Sequence, residues 1–199
     1  PFPYEDSDIF QRWILAGYEL IQSRDSFVYH LTCRGHRWNE QIQKDDDYYK
    51  VASNKAARNY LRKWGIWIEN DSYQYPIITP KYDIEFRIFN SNPQLLKVLE
   101  PWCSRIYVDL YKNEIEKYIE EEQPNTLIDL STKINQTANS DIVIRMDSIK
   151  FTQEDFKLIQ QLPKIIKDSG EIGKFTLGNL EITINSMEEY QNSLINVNR

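Results

Sequence analysis

The stretch Ile84-Glu85-Phe86-Arg87-Ile88-Phe89-Asn90-Ser91-Asn92-Pro93 decides the fold. Apolar and polar residues alternate over Ile84 to Phe89, the period of a strand that buries one face. Asn92-Pro93 then supplies a cap and a first-turn proline, so a helix is predicted from there to about Pro101. The same grammar repeats downstream. Arg105 to Asp109 reads as a short strand and Lys112 to Glu122 as a helix. Thr126 to Leu130 and Ile142 to Phe151 read as strands. Thr152-Gln153-Glu154-Asp155 has the form of a capping box opening a helix to about Asp168, and Phe175 to Ile184 reads as a hairpin. Together these predict the α/β to α+β class, with helices on one face of a small sheet.

Upstream, the pattern changes. Phe10, Trp13 and Ile14 recur at helical spacing, and Gly17 is suited to end that helix. Two β-prone runs follow, Tyr18 to Gln22 and Phe27 to Leu31. From Asp46 to Trp64 the residues Tyr49, Ala52, Ala56, Tyr60 and Trp64 make one helical stripe, and Lys55, Arg58, Arg62 and Lys63 make the other faces basic. The turn-rich stretch from Gly65 to Pro80 marks a boundary. The predicted organisation is therefore 1–64, a connector at 65–83, and a small α+β unit at 84–199. Charge shifts at the same place: residues 1–83 hold 11 basic and 12 acidic side chains, residues 84–199 hold 13 and 18.

Composition narrows the class of function. The chain has 199 residues, 41% hydrophobic and 27% charged, which is enough to bury a core and too apolar for disorder. A net charge of −6 lacks the positive field of a nucleic-acid-binding protein. No apolar run approaches the roughly 18–20 residues of a membrane span. Cys33 and Cys103 have no partner spacing, which suits a reducing compartment and predicts a cytoplasmic location. The chain begins Pro1-Phe2-Pro3 without Met, as a segment of a longer polypeptide would. Glu120-Glu121-Glu122 and Asp45-Asp46-Asp47 read as solvated surface.

Three groups carry candidate chemistry. Glu5-Asp6-x-Asp8 precedes an apolar helix, where carboxylates either cap the helix or divide into a base and a group that holds a substrate hydroxyl. Of the three, Asp8 is closest to the predicted helix start, within reach of its backbone N–H groups. His30 ends a β-run before a glycine-containing loop, placed either as a hydrogen-bonded strand end or as a metal or phosphate ligand. Arg34, His36 and Arg37 form a cationic cluster, suited to an anionic group or to neutralising Asp45–Asp47.

The ordered set Pro3-Tyr4-Glu5-Asp6-Ser7-Asp8-Ile9-Phe10-Gln11-Arg12-Trp13, Ala16-Gly17-Tyr18 and Phe27-Val28-Tyr29-His30 resembles the C-terminal part of the catalytic domain of GT-A-fold, family-two-type glycosyltransferases. The resemblance covers residues 1 to about 38. It implies a truncated GT-A domain followed by an accessory α+β domain, and an inverting transfer of sugar from a nucleotide-sugar donor to a saccharide or other hydroxyl acceptor. By the same resemblance Asp6 is the general base, Glu5 holds acceptor hydroxyls, and His30 joins a divalent metal (Mn or Mg) or the donor diphosphate. Arg34, His36 and Arg37 follow His30 and are expected on the donor side of that groove. The family's nucleotide-binding half, with its Asp-x-Asp motif, is not in this chain, so the segment alone is expected to be inactive. The competing expectation is a non-catalytic α+β binding or assembly module.

Overall fold

The computed structural model describes residues 4–27, 38–39, 44–45, 47–136 and 138–195. Helix α1 is Glu5–Leu15, and helix α2 is Asp47–Trp64. Between them two short strands, β1 (Trp38–Asn39) and β2 (Lys44–Asp45), pair antiparallel. A second small hairpin, β3 (Glu69–Asn70) with β4 (Pro76–Ile77), follows α2. Its turn is held by Asp71, whose Oδ1 accepts from Tyr73 N at 2.8 Å and Tyr75 N at 2.9 Å.

The main sheet lies wholly downstream. Strand β5 is Ile84–Phe89, helix α3 Pro93–Leu99, strand β6 Arg105–Val108, and helix α4 Lys112–Glu122. A short helix α5 (Leu130–Lys133) leads to β7 (Ile142–Asp147) and the long α6 (Gln153–Ser169). Strands β8 (Gly173–Leu177) and β9 (Leu180–Ile184) make the closing hairpin, and α7 is Gln191–Ile195. The order is β6-β5-β7-β9-β8, with β5 parallel to β6 and β7, and β9 antiparallel to β7 and β8. The fold is thus mixed α/β.

Alternation in β5 does what its sequence dictates. Ile84, Phe86 and Ile88 are buried and in register with Ile106 and Val108 of β6 and with Ile142, Ile144 and Met146 of β7. Leu96 and Leu99 of α3, Tyr118 of α4 and Ile159, Leu162 and Ile166 of α6 join them in one apolar cluster. The odd positions lie on the opposite face, where Tyr107 and Arg145 are exposed and Glu85 and Val143 are buried. At ~1.5–3 kcal/mol for each fully buried large aliphatic side chain, this one layer supplies most of the driving force.

The local signals account for the helix ends. Asn92 Oδ1 accepts from Leu95 N at 2.8 Å ahead of Pro93. Thr152 and Asp155 close a reciprocal capping box on α6, and Asp155 also accepts from Asn179 N at 2.9 Å in the β8–β9 turn. The neighbouring Gly178 has φ +60°, and a Cβ there would lie 2.5 Å from Asp155 Oδ1, so the turn admits only glycine.

Three expected β runs differ. Thr126 to Leu130 is a turn into α5: Gln123 Nε2 donates to Thr126 O and Ile128 O, and Asp129 caps α5 through Ser131 N. Only Leu130 of that run is buried, so it has no alternating face to give a sheet. The strand at Ile142 stops at Asp147, whose Oδ1 accepts from Ile149 N at 3.1 Å and turns the chain. Tyr18 to Gln22 forms no strand ladder among the described residues.

Helix α2 joins the sheet unit by burying charge. Arg62 has no exposed side chain, and its Nη2 donates to Glu100 Oε2 at 2.6 Å and to Glu122 Oε1 at 2.5 Å. Lys133 of α5 reaches Glu100 Oε1 at 2.7 Å, Tyr118 donates its hydroxyl to Glu100 Oε2 at 3.0 Å, and Arg58 donates to Glu122 Oε1 at 2.7 Å. Glu122 is therefore a correction to the solvated reading of Glu120-Glu121-Glu122: it is buried while its two neighbours are exposed. A second apolar cluster, Tyr60, Trp64 and Leu194, packs with Tyr4 and Leu15 and holds α1 and α7 on α2.

Candidate active site

Helix α1 begins at Glu5, three residues before Asp8. Glu5 and Asp6 therefore occupy its first turn, where the helix dipole favours carboxylates. Both are exposed, and neither has a hydrogen-bond or ion-pair partner among the described residues. Asp8 behaves differently. Its Oδ1 accepts from Lys63 Nζ at 2.6 Å and Trp64 Nε1 at 2.9 Å, and its Oδ2 accepts from Arg12 Nε at 3.0 Å. Side chains of α1 and α2 hold Asp8, in place of the helix-start backbone groups expected from sequence.

Helical geometry explains the division. At ~100° per residue, Asp6 and Asp8 project about 160° apart around α1. Asp8 shares a face with Tyr4 and Gln11, and that face meets α2: Gln11 is buried and donates to the Tyr60 hydroxyl and to Ser7 O. Burial pushes the Tyr60 phenol well above its ordinary pKa. Burial likewise lowers the pKa of Lys63, against the pull of Asp8.

Asp6 shares its stripe with Phe10 and Trp13, four and seven residues on. These two rings, 5.7 Å apart, form one wall of a cleft of about 740 Å³. Tyr18 and Glu19 continue it, and Tyr73 and Tyr75 of the β3–β4 turn close the other side. Gln22 N donates to the Tyr75 hydroxyl at 3.1 Å and ties the two walls together. The volume lies within the ~300–1,000 Å³ of small-molecule sites. Such an arrangement offers flat apolar faces with interspersed hydrogen-bonding groups, and an unpaired carboxylate one helical turn away.

Of the residues singled out by sequence, Glu5 and Asp6 are brought together on one helical turn. His30, Arg34, His36 and Arg37 lie outside the described residues. Among the described residues no group of three or more His, Cys, Asp or Glu side chains is arranged to hold a metal ion, and no helix is long and apolar enough to cross a membrane. Sequence reasoning passed over Tyr73 and Tyr75, whose only signal was the turn chemistry of Asn70-Asp71-Ser72. It also passed over the Glu100 cluster, because nothing local pairs Arg62 with a carboxylate 38 residues away.

The architecture defines a mixed α/β protein with a one-sided sheet and an aromatic cleft beside open carboxylates. Comparison with family models, curated proteins and solved structures found no match to the chain.

Proposed function

We propose that this chain is the acceptor-side segment of a GT-A-type inverting glycosyltransferase, with Asp6 as general base and Glu5 holding acceptor hydroxyls. The observation that carries the reading is the split among three neighbouring carboxylates. Asp8 is committed to Arg12, Lys63 and Trp64, while Glu5 and Asp6 face solvent without partners among the described residues. A base must keep an oxygen free to take the proton of the attacking hydroxyl. The Phe10–Trp13 wall supports the same reading, because it begins one turn from Asp6 and gives an acceptor sugar ring a surface to rest on. The metal and diphosphate roles belong by resemblance to His30 and to Arg34, His36 and Arg37, outside the described residues.

The test uses the enzyme that joins this segment to the nucleotide-binding half the resemblance implies. Transfer rate and nucleotide-sugar affinity are measured for Asp6→Asn, Glu5→Gln and Asp8→Asn. Asp6→Asn lowers turnover by ~10²–10⁴-fold and leaves donor affinity intact. Near-normal turnover in that variant defeats the assignment.

A second reading, a non-catalytic binding or assembly module, draws on the exposure of Tyr18 (67%), Ile21 (82%) and Tyr73 (71%), more apolar surface than a lone segment usually leaves open. Saccharide binding in the cleft without Asp6-dependent transfer would select it.

A further inference from the structure

A second cavity, of about 620 Å³, lies on the opposite face of α1 from Asp6. Helices α1, α2 and α7 and the segment 124–128 enclose it. Ala56, Tyr60, Leu127 and Leu194 make its apolar surface, and Lys55, Lys63 and Lys81 bring three ammonium groups to it. Asp8 is the single carboxylate of the lining and is paired with Lys63 at 2.6 Å, and the guanidinium of Arg62 is taken up by Glu100 and Glu122, so the uncompensated charge comes from Lys55 and Lys81. A chain of net charge −6 thus inverts its sign in this cavity.

Lys81 is the central group. Its Nζ donates to the carbonyls of Arg62 at 2.8 Å and Lys63 at 2.5 Å, at the last turn of α2, where the dipole favours a cation. An ammonium has three donors, and the third has no acceptor among the described residues. Lys55 has no carboxylate partner among them either.

We propose that this cavity binds an amphipathic organic anion, with a phosphate or carboxylate head at Lys81 and Lys63 and an apolar body along Ala56, Tyr60, Leu127 and Leu194. The inference is independent of the glycosyltransferase reading. Charge complementarity selects the head, since charge-assisted bonds to partly buried ammonium groups are the strong ones. The apolar lining selects the body. Burial, with the like charges of Lys133 on α5 and Lys63 on α2, lowers the Lys81 pKa to about 7, against the opposing pull of Asp83 and Cys103 beside β5 and β6. An anion at Lys81 therefore draws a proton onto it near neutral pH.

The experiment is calorimetric titration of the whole chain with octanoate, octyl phosphate, octanol and inorganic phosphate. At least one of the two octyl anions binds about tenfold or more tighter than octanol or inorganic phosphate, and the better of the two identifies the head group. Octanoate, ionised throughout, binds with proton uptake, and its affinity falls between about pH 6 and about pH 8.5. Leu127 is 92% exposed, so Leu127→Glu leaves the fold untouched while placing a negative charge at the cavity mouth. It weakens the bound anion about tenfold or more. Equal affinity for octanol and the anions, no binding of either anion, or unchanged binding in Leu127→Glu each overturns the proposal.

Discussion

The first turn of α1 and the junction of α2 with Glu100 are both dense in ionisable side chains, and they are opposites. At α1, Glu5 and Asp6 stand in solvent with no partner among the described residues. At the junction, the side chains of Arg62 and Glu100 are fully buried, and Glu100 is answered by Arg62, Lys133, Tyr118 and Arg58. A buried charge persists only where its neighbours replace water, and in doing so they use up its hydrogen-bonding capacity. An open charge contributes little to stability and keeps that capacity for a substrate. Burial and pairing, more than charge density, separate a structural cluster from a chemical one.

The sharpest way to break this contrast is to remove one member of the sealed cluster. Arg62→Met strips Glu100 and Glu122 of the more buried of their two shared guanidinium partners, Arg58 remaining, while keeping an unbranched side chain in the same space. It costs ~3–5 kcal/mol, read from urea unfolding, because a carboxylate is left buried and under-compensated. A cost below about 1 kcal/mol would place the cluster in effective contact with water.

The pH dependence of stability tests the same cluster without mutation. Burial alone would raise the Glu100 pKa, but Lys133 and Arg62 overcome it and hold the group down at about 2, against an ordinary 4.5. A folded pKa below the unfolded one gives stability that is fully present above about pH 4.5 and is lost as pH falls toward about 2. The contribution at stake is on the order of 3 kcal/mol. Asp155, also held at about 2, titrates in the same window through its Thr152 and Asn179 bonds, so the comparison must be made against Glu100→Gln. That variant should unfold less steeply with acid than the parent; an identical acid profile would remove Glu100 as a source.

These two regions were unequally legible. The sheet unit was readable because its determinants are local: alternation in β5, Asn92-Pro93, the Thr152–Asp155 box, and the Phe175 to Ile184 hairpin all act within a few residues. The run from Thr126 to Leu130 misled because its four β-compatible residues carry no information that Gln123 will fold its amide back over them. Glu5 and Asp6 were legible as a motif, and their exposure followed from the 3.6-residue period once α1 had a start. The Glu100 cluster was hidden. Arg58 and Arg62 look like an ordinary basic face, and what covers them is the return of Glu100 and Glu122, 38 and 60 residues from Arg62, a tertiary outcome that no window of sequence contains.

The smallest expected effect is also the one that bears most on function, and it compares Asp8 with Asp6 on a single helix. Asp8→Ala removes the acceptor for Lys63, Trp64 and Arg12, leaving a half-buried ammonium and an indole N–H without their bonds. An unsatisfied, partly buried donor costs ~1–3 kcal/mol, so α1 should loosen from α2 and the unfolding midpoint should drop. Asp6→Ala breaks no bond among the described residues. What it loses is the favourable placement of a carboxylate in the first turn, worth roughly 0.3–0.5 kcal/mol at an exposed position. That small term is electrostatic, so about 1 M NaCl should erase it, while the Asp8 loss, which is largely one of hydrogen bonds, should survive the salt. Urea titrations of both variants at low and high salt give the four numbers needed. If Asp6→Ala costs as much as Asp8→Ala, and keeps that cost in salt, then Asp6 is a structural cap with no oxygen to spare, and the general-base assignment fails on stability data alone.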